Sequence, residues 1–174
     1  MPIIIFVLFT ILIFTIQTTI LRYISIGGVK PDIILIVTVY AGLRQGKEKG
    51  ISTGFIFGLI QDSLSAGIIG VNALSKGLLG FIVGNIREKI MSENMITQSL
   101  FIFIATIFDG LILLLISETI FQEELGGRIS LRPLLSQALY SSIIGPLLFL
   151  VLKWIKDKYV LLKKEAKRSG YRTI

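Results

Sequence analysis

Apolar residues along this chain gather into six long blocks, at residues 3–21, 32–43, 50–65, 70–86, 96–117 and 134–152, separated by short joints that carry charges or glycine. None of the blocks alternates with the period of two that a membrane β-strand requires, so all six read as helices. The first would extend about 29 Å at 1.5 Å per residue, enough to cross the hydrocarbon of a bilayer. It has no basic segment before it and no small-x-small site before Arg22, so it reads as a retained helix and not a cleaved signal. Pro31 and Asp32 open the second block, where a proline and an acid suit a first helical turn. That block is short for a full span, and the second and third are compatible with tilted, broken or partly re-entrant helices.

Composition moves the pattern from "helical" to "lipid-embedded". Hydrophobic residues make up 53% of the 174 positions and charged residues 17%, with a mean hydropathy of +0.81, too apolar and too poor in charge for a soluble domain. The chain has no cysteine and no histidine. Disulfides, thiolate or imidazole metal sites, thiol nucleophiles and Ser-His-Asp triads are therefore excluded. No catalytic, cofactor-binding or metal-ligating residues are expected, and the chain reads as a non-enzyme that needs no cofactor.

The net charge of +7 gains meaning from its location. With both termini cytoplasmic, inside segments hold Arg44, Lys47, Lys49, Arg87, Lys89 and the eight basic residues from Lys153 to Arg172. The outside segments hold four, Arg22, Lys30, Arg128 and Arg132, as the positive-inside rule demands, while the outer-loop acids Glu118, Glu123 and Glu124 weigh little. The expectation is an all-α integral membrane protein, a bundle of about six transmembrane helices, N-in and C-in. Residues 1–152 form the transmembrane domain and residues 153–174 a basic cytoplasmic tail. Outside that tail basic and acidic residues nearly balance, which leaves no nucleic-acid surface. Trp154 and Tyr159 among the tail lysines suit an interfacial anchor, with anionic lipid headgroups as a further candidate partner.

Gly50, Gly54, Gly58 and Asp62 recur every four residues, and Asn72, Lys76, Gly80 and Gly84 do so in reverse order. An antiparallel hairpin centred on Gly67 would set Asp62 opposite Asn72, Gly58 opposite Lys76, Gly54 opposite Gly80 and Gly50 opposite Gly84. Glycine faces let two backbones approach closely where lipid supplies no hydrophobic drive. Gln17, Ser136, Gln137, Tyr140, Ser141 and Ser142 read as interhelical hydrogen-bonding residues, and Gly145 with Pro146 as a kink in the last helix.

Lys76 is the one basic residue left within a helix, and an intramembrane charge costs about 3 kcal/mol on insertion scales and calls for a partner. Asp62 and Asp109 are the candidates, Asp109 lying at a compatible depth. The other readings are that Lys76 snorkels outward while Asp62 caps a turn, or that the three residues form a polar path for a ligand or proton. A structural ion pair is preferred over the polar path, and the snorkelling reading stands beside it.

The stretch from Pro31 to Gly84 resembles the bacterial rod-shape-determining protein MreD family, in which a Pro-Asp opens a short helix and a glycine-rich helix ends at Asp. Here those positions are Pro31, Asp32, Gly54, Gly58 and Asp62, followed by Gly70, Ala73, Leu74 and Gly80. Where relatives carry a proline in the turn, this chain reads Gly67, Ile68, Ile69. The resemblance implies a non-catalytic subunit of the bacterial inner membrane, in the machinery that builds the lateral peptidoglycan wall. It implies MreC as partner, with links to MreB, to RodA and to its penicillin-binding transpeptidase. Members look similar in architecture to the substrate-binding subunits of energy-coupling-factor transporters, so a vitamin-type transport subunit is the alternative. An intramembrane enzyme is a third reading that Asp62, Lys76 and Asp109 alone do not sustain.

Overall fold

The computed structural model describes residues 10–20, 23, 25, 28–65, 68–90, 94–121 and 131–170. These residues form six helical elements and no strand. Helix α1 covers residues 10–15 and widens into a π-helical turn at Ile16–Ile20. It is followed by α2 (Ile33–Gln45), α3 (Lys47–Leu64), α4 (Val71–Ile90), α5 (Met95–Phe121) and α6 (Leu131–Gly170). Residues 3–9 of the first block, Arg22, the expected hairpin centre Gly67, the joint carrying Glu123, Glu124 and Arg128, and Arg172 lie outside the described residues.

Among the described residues two helices are long and apolar enough to cross a membrane, at Met95–Leu115 and Arg132–Leu161; Thr10–Thr19 and Ile33–Gln45 are apolar but shorter. The 13 residues of α2 reach about 20 Å, well under the ~30 Å of hydrocarbon. This helix is short because it is central. Every residue from Ile33 to Gly42 is buried, as expected of a helix that is hydrophobic on all sides. One side of it joins Ile13, Phe14 and Phe57 of α1 and α3 in one apolar cluster, with the Phe14 and Phe57 rings stacked at 6.3 Å. The other side joins Leu79, Val83, Ile102, Ala105 and Phe149 of α4, α5 and α6, where Tyr40 meets the Phe149 ring edge-on at 5.2 Å.

The chain leaves α2 through one residue. Gly46 takes a φ of +93° and donates its N–H to the Gly42 carbonyl at 3.0 Å, a conformation that a side chain would strain. Helix α3 begins at once and folds back along α2. Gly70, with a φ of +103°, plays the corresponding part before α4.

The glycine series of α3 and α4 do face each other, with the glycine levels one helical turn away from the expected register, while Asp62 meets Asn72 as expected. Gly50 lies against Gly80, Gly54 against Lys76 and Gly77, Gly58 against Asn72 and Ala73, and Gly84 against Gly46 and Lys47. A glycine of one helix thus sits on backbone of the other. The shift has a physical cause in Asp62, which is placed level with the start of α4, where unpaired amides await an acceptor. With the glycines in the expected register it would lie a turn too deep. Gly42 of α2, not singled out by periodicity, completes the seam: a Cβ there would stand 3.1 Å from the Gly80 carbonyl and 3.2 Å from the Gly84 nitrogen. Three backbones therefore converge at one end of the bundle. Helices α5 and α6 join by side chain into notch, Leu134 over Gly110 and Ile102 over Gly145. Helix α6 runs through Pro146 as one helix of 40 residues.

Two substitutions separate backbone contact from mere glycine content. A methyl group on Gly54 would strike the Lys76 carbonyl and the Gly77 nitrogen, whereas one on Gly77 would meet only Phe55, at 3.6 Å. We expect Gly54→Ala to destabilise the fold by about 2–3 kcal/mol, and Gly77→Ala to stay within about 0.5 kcal/mol of the parent. Equilibrium unfolding of the purified protein in mixed micelles measures both.

Candidate functional site: a buried charge network

At the end of the bundle opposite Gly46, the first turns of α2 and α4 meet the middle of α5 and the third turn of α6. Four charged side chains lie there with almost no exposed surface, Lys76 at 0%, Asp62 at 1%, Asp109 at 4% and Asp32 at 6%.

Lys76 is held by three acceptors. Its Nζ stands 3.1 Å from Asp32 Oδ2, 3.2 Å from Asp109 Oδ2 and 3.0 Å from Asn72 Oδ1. An ammonium carries three protons, and each has one partner. Asn72 lies one turn before Lys76 on α4, while Asp32 and Asp109 come from α2 and α5, so one cation ties three helices.

Each carboxylate is in turn committed on both oxygens. Asp32 Oδ1 accepts the Leu35 N–H at 3.0 Å and so caps α2. Two further amides of that helix start are met from other helices: the Asp32 N–H donates to Ser141 Oγ at 3.3 Å and the Ile33 N–H to Gln17 Oε1 at 3.0 Å. Gln17 sits in the π-helical turn of α1. Asp109 Oδ1 accepts a short hydrogen bond from the Ser75 hydroxyl, next to Lys76 in sequence. Burying the start of α2 without such partners would leave orphan donors in apolar surroundings.

Asp62 does a different job. Its oxygens accept the backbone N–H groups of Gly70, Asn72 and Ala73 at 2.9–3.2 Å and the Asn72 side-chain amide at 2.8 Å. It caps α4 from the preceding helix, at the positive end of that helix's dipole. Asn72 thus links two charged sites, donating to Asp62 and accepting from Lys76.

These positions settle what the sequence left open. Lys76 neither snorkels nor pairs with Asp62; it pairs with Asp109, and also with Asp32, which the sequence reading assigned only to the helix start. The missed signal was depth: in the expected topology Asp32, Lys76 and Asp109 all fall in the outer half of the bundle. Ser75 was missed as well, although its place beside Lys76 was visible. Of the motif residues, Pro31 is buried before the cap, Gly70 supplies the positive φ, Ala73 lies fully buried under Gly58, and Leu74 points outward at 60% exposure. Among the described residues no group of three acidic, histidine or cysteine side chains has the spacing to hold a metal ion.

The Pro-Asp cap, the glycine seam and the Asp62 cap are the features that first suggested a family. Residues 1–157 match the family model described as rod shape-determining protein MreD. The chain belongs to the MreD family. No curated protein and no solved structure matches it. Membership makes the chain a membrane protein with a role in determining rod shape, and in this chain Asp32 and Asp62 cap two helices while Asp32 also helps to bury one lysine.

Removing one side of a buried ion pair costs more than removing both. Lys76→Met leaves Asp32 and Asp109 facing each other, and we expect a loss of about 3–5 kcal/mol. Asp109→Asn leaves one lysine with one carboxylate and should cost less than half as much. Adding Asp32→Asn and Asp109→Asn to Lys76→Met should recover most of the loss. Unfolding in mixed micelles checks the order, and a triple variant no more stable than Lys76→Met would overturn the assignment.

Proposed function

We propose that this MreD is a non-catalytic scaffold subunit of the rod-elongation machinery, multi-pass in the bacterial cytoplasmic membrane. It binds MreC and through it works with MreB, RodA and the associated penicillin-binding transpeptidase to support lateral peptidoglycan synthesis. The observation that carries this reading is the closed state of the charge network. Catalysis or ligand capture needs polar groups left free to meet a substrate. Here the oxygens of Asp32, Asp62 and Asp109 and the protons of Lys76 are committed within the protein, as suits a part whose task is to hold a shape. The same observation weighs against a vitamin-type transport subunit.

Orientation follows from charge. Arg87 lies over Gly46, and Arg44, Lys47 and Lys49 flank the same α2–α3 turn, so one end of the bundle is basic and the other holds the buried network. The positive-inside rule sets the basic end in the cytoplasm. The network then lies toward the outer leaflet.

Purification of the full chain from its native membrane without crosslinking, followed by identification of the associated proteins, tests the reading. We expect MreC to co-purify in stoichiometric amount. Recovery of two ATPases and a coupling membrane subunit in its place would overturn the scaffold reading.

A further inference from the structure

Helix α6 continues without interruption from Leu131 to Gly170, about 60 Å at 1.5 Å per residue. That is roughly twice the thickness of the hydrocarbon. Within the bundle its inward face is a repeating 3-4 series. Ala138 and Ser141 are fully buried, Gly145 receives Ile102, and Leu148 and Leu152 pack on both apolar clusters. Among the described residues Leu152 is the last of α6 to join either cluster. The series does not stop there. Ile155 and Tyr159 follow at the same spacing and are half-buried, while Lys153, Trp154, Lys156, Asp157 and Lys158 around them are exposed, and in sequence the spacing goes on to Leu162 and Ala166.

The 3-4 spacing is that of a coiled-coil seam and continues the side that α6 packs inside the bundle, while Trp154, Val160 and Leu161 are exposed outside it. Lys156 flanks the seam on one side and Lys158 on the other, both exposed, and in sequence Lys163 and Glu165 follow them seven residues on. From Lys153 onward eight basic residues face two acidic ones. Two copies of the segment would run the Lys156 edge of one along the Lys158 edge of the other, which like charges oppose. An edge of glutamates or aspartates would complement it. The family match ends at residue 157, so most of this rod lies beyond the part that defines the family.

We infer that the C-terminal part of α6, from Ile155 onward, is a docking rod for an amphipathic helix of a cytoplasmic partner, whose apolar seam is flanked by acidic residues. It extends an interface that α6 already uses inside the bundle. Binding is by seam and edge together, and it is sensitive to salt because the edges are exposed.

The full chain in phosphatidylcholine nanodiscs is titrated against a fluorescent synthetic helix of about three heptads, with Leu at the seam and Glu at both flanks. Fluorescence anisotropy should show saturable binding, and an isomer of the same composition with its leucines scattered should not bind. Lys156→Glu/Lys158→Glu alters exposed positions only; it should weaken binding at least about tenfold and gain binding to the Lys-flanked version of the peptide. Absence of binding, equal binding of the scattered isomer, or no exchange of preference would each overturn the inference. A nitroxide on Lys164→Cys, in a chain with no cysteine of its own, tests the other occupants. In nanodiscs containing phosphatidylglycerol it should remain open to a water-soluble relaxation agent. Shielding by lipid would show that the segment lies on the membrane, and dipolar coupling between two labelled copies would show self-pairing; either result overturns the proposal.

Discussion

An ammonium group removed from water and surrounded by hydrocarbon is tolerable only where its charge and its protons are all answered. Lys76 satisfies that condition with Asp32, Asp109 and Asn72, three partners on three different stretches of chain. Much of the architecture follows from it. The start of α2 must come to the start of α4, α5 must present its middle turn to both, and Ser75, Ser141 and Gln17 must complete the acceptors and donors that this meeting buries. Hydrophobic contact alone has no such directional demand, and in lipid it has little drive. A buried ion cluster of this kind contributes less to net stability than to uniqueness, because most misalignments of the helices would leave a bare charge.

The glycine seam at the other end is the complement of that network. Gly42, Gly50, Gly80 and Gly84 bring the backbones of α2, α3 and α4 into direct contact, and dispersion between closely approached main chains substitutes for the missing hydrophobic effect. Each end restricts the other. A seam of glycines would allow several registers a turn apart, and Asp62 on the amides of Gly70, Asn72 and Ala73 selects one. With register fixed, a helix too short to cross a bilayer can sit in the middle, apolar on every side and screened by its neighbours.

This division of labour suits the scaffold role proposed for this member of the MreD family. The polar interior is spent on the fold, while the outward sides of α5 and α6 are apolar and the far end of α6 carries the concentrated positive charge. What distinguishes one surface from another is therefore charge and helix geometry at the membrane boundary, where water makes such differences count.

The sequence by itself determined whatever belongs to one helix at a time. Six apolar blocks, the four-residue glycine series, the Pro-Asp start of α2, the weighting of Lys and Arg to alternate joints, and the isolation of Lys76 all follow from composition and spacing along the chain, which is how periodicity acts. The meeting of Lys76 with Asp109 was within reach because depth can be counted from helix ends. Its second partner, Asp32, was not, since a capping residue and an ion-pair partner look alike until another helix is beside them. Nor was the register of α3 against α4, because equal spacing on both helices fits several offsets equally well. Only the tertiary structure decided these points. The deciding groups, the orphan amides at the starts of α2 and α4 and the residues that answer them, lie as far as 109 positions apart, and no local pattern relates them.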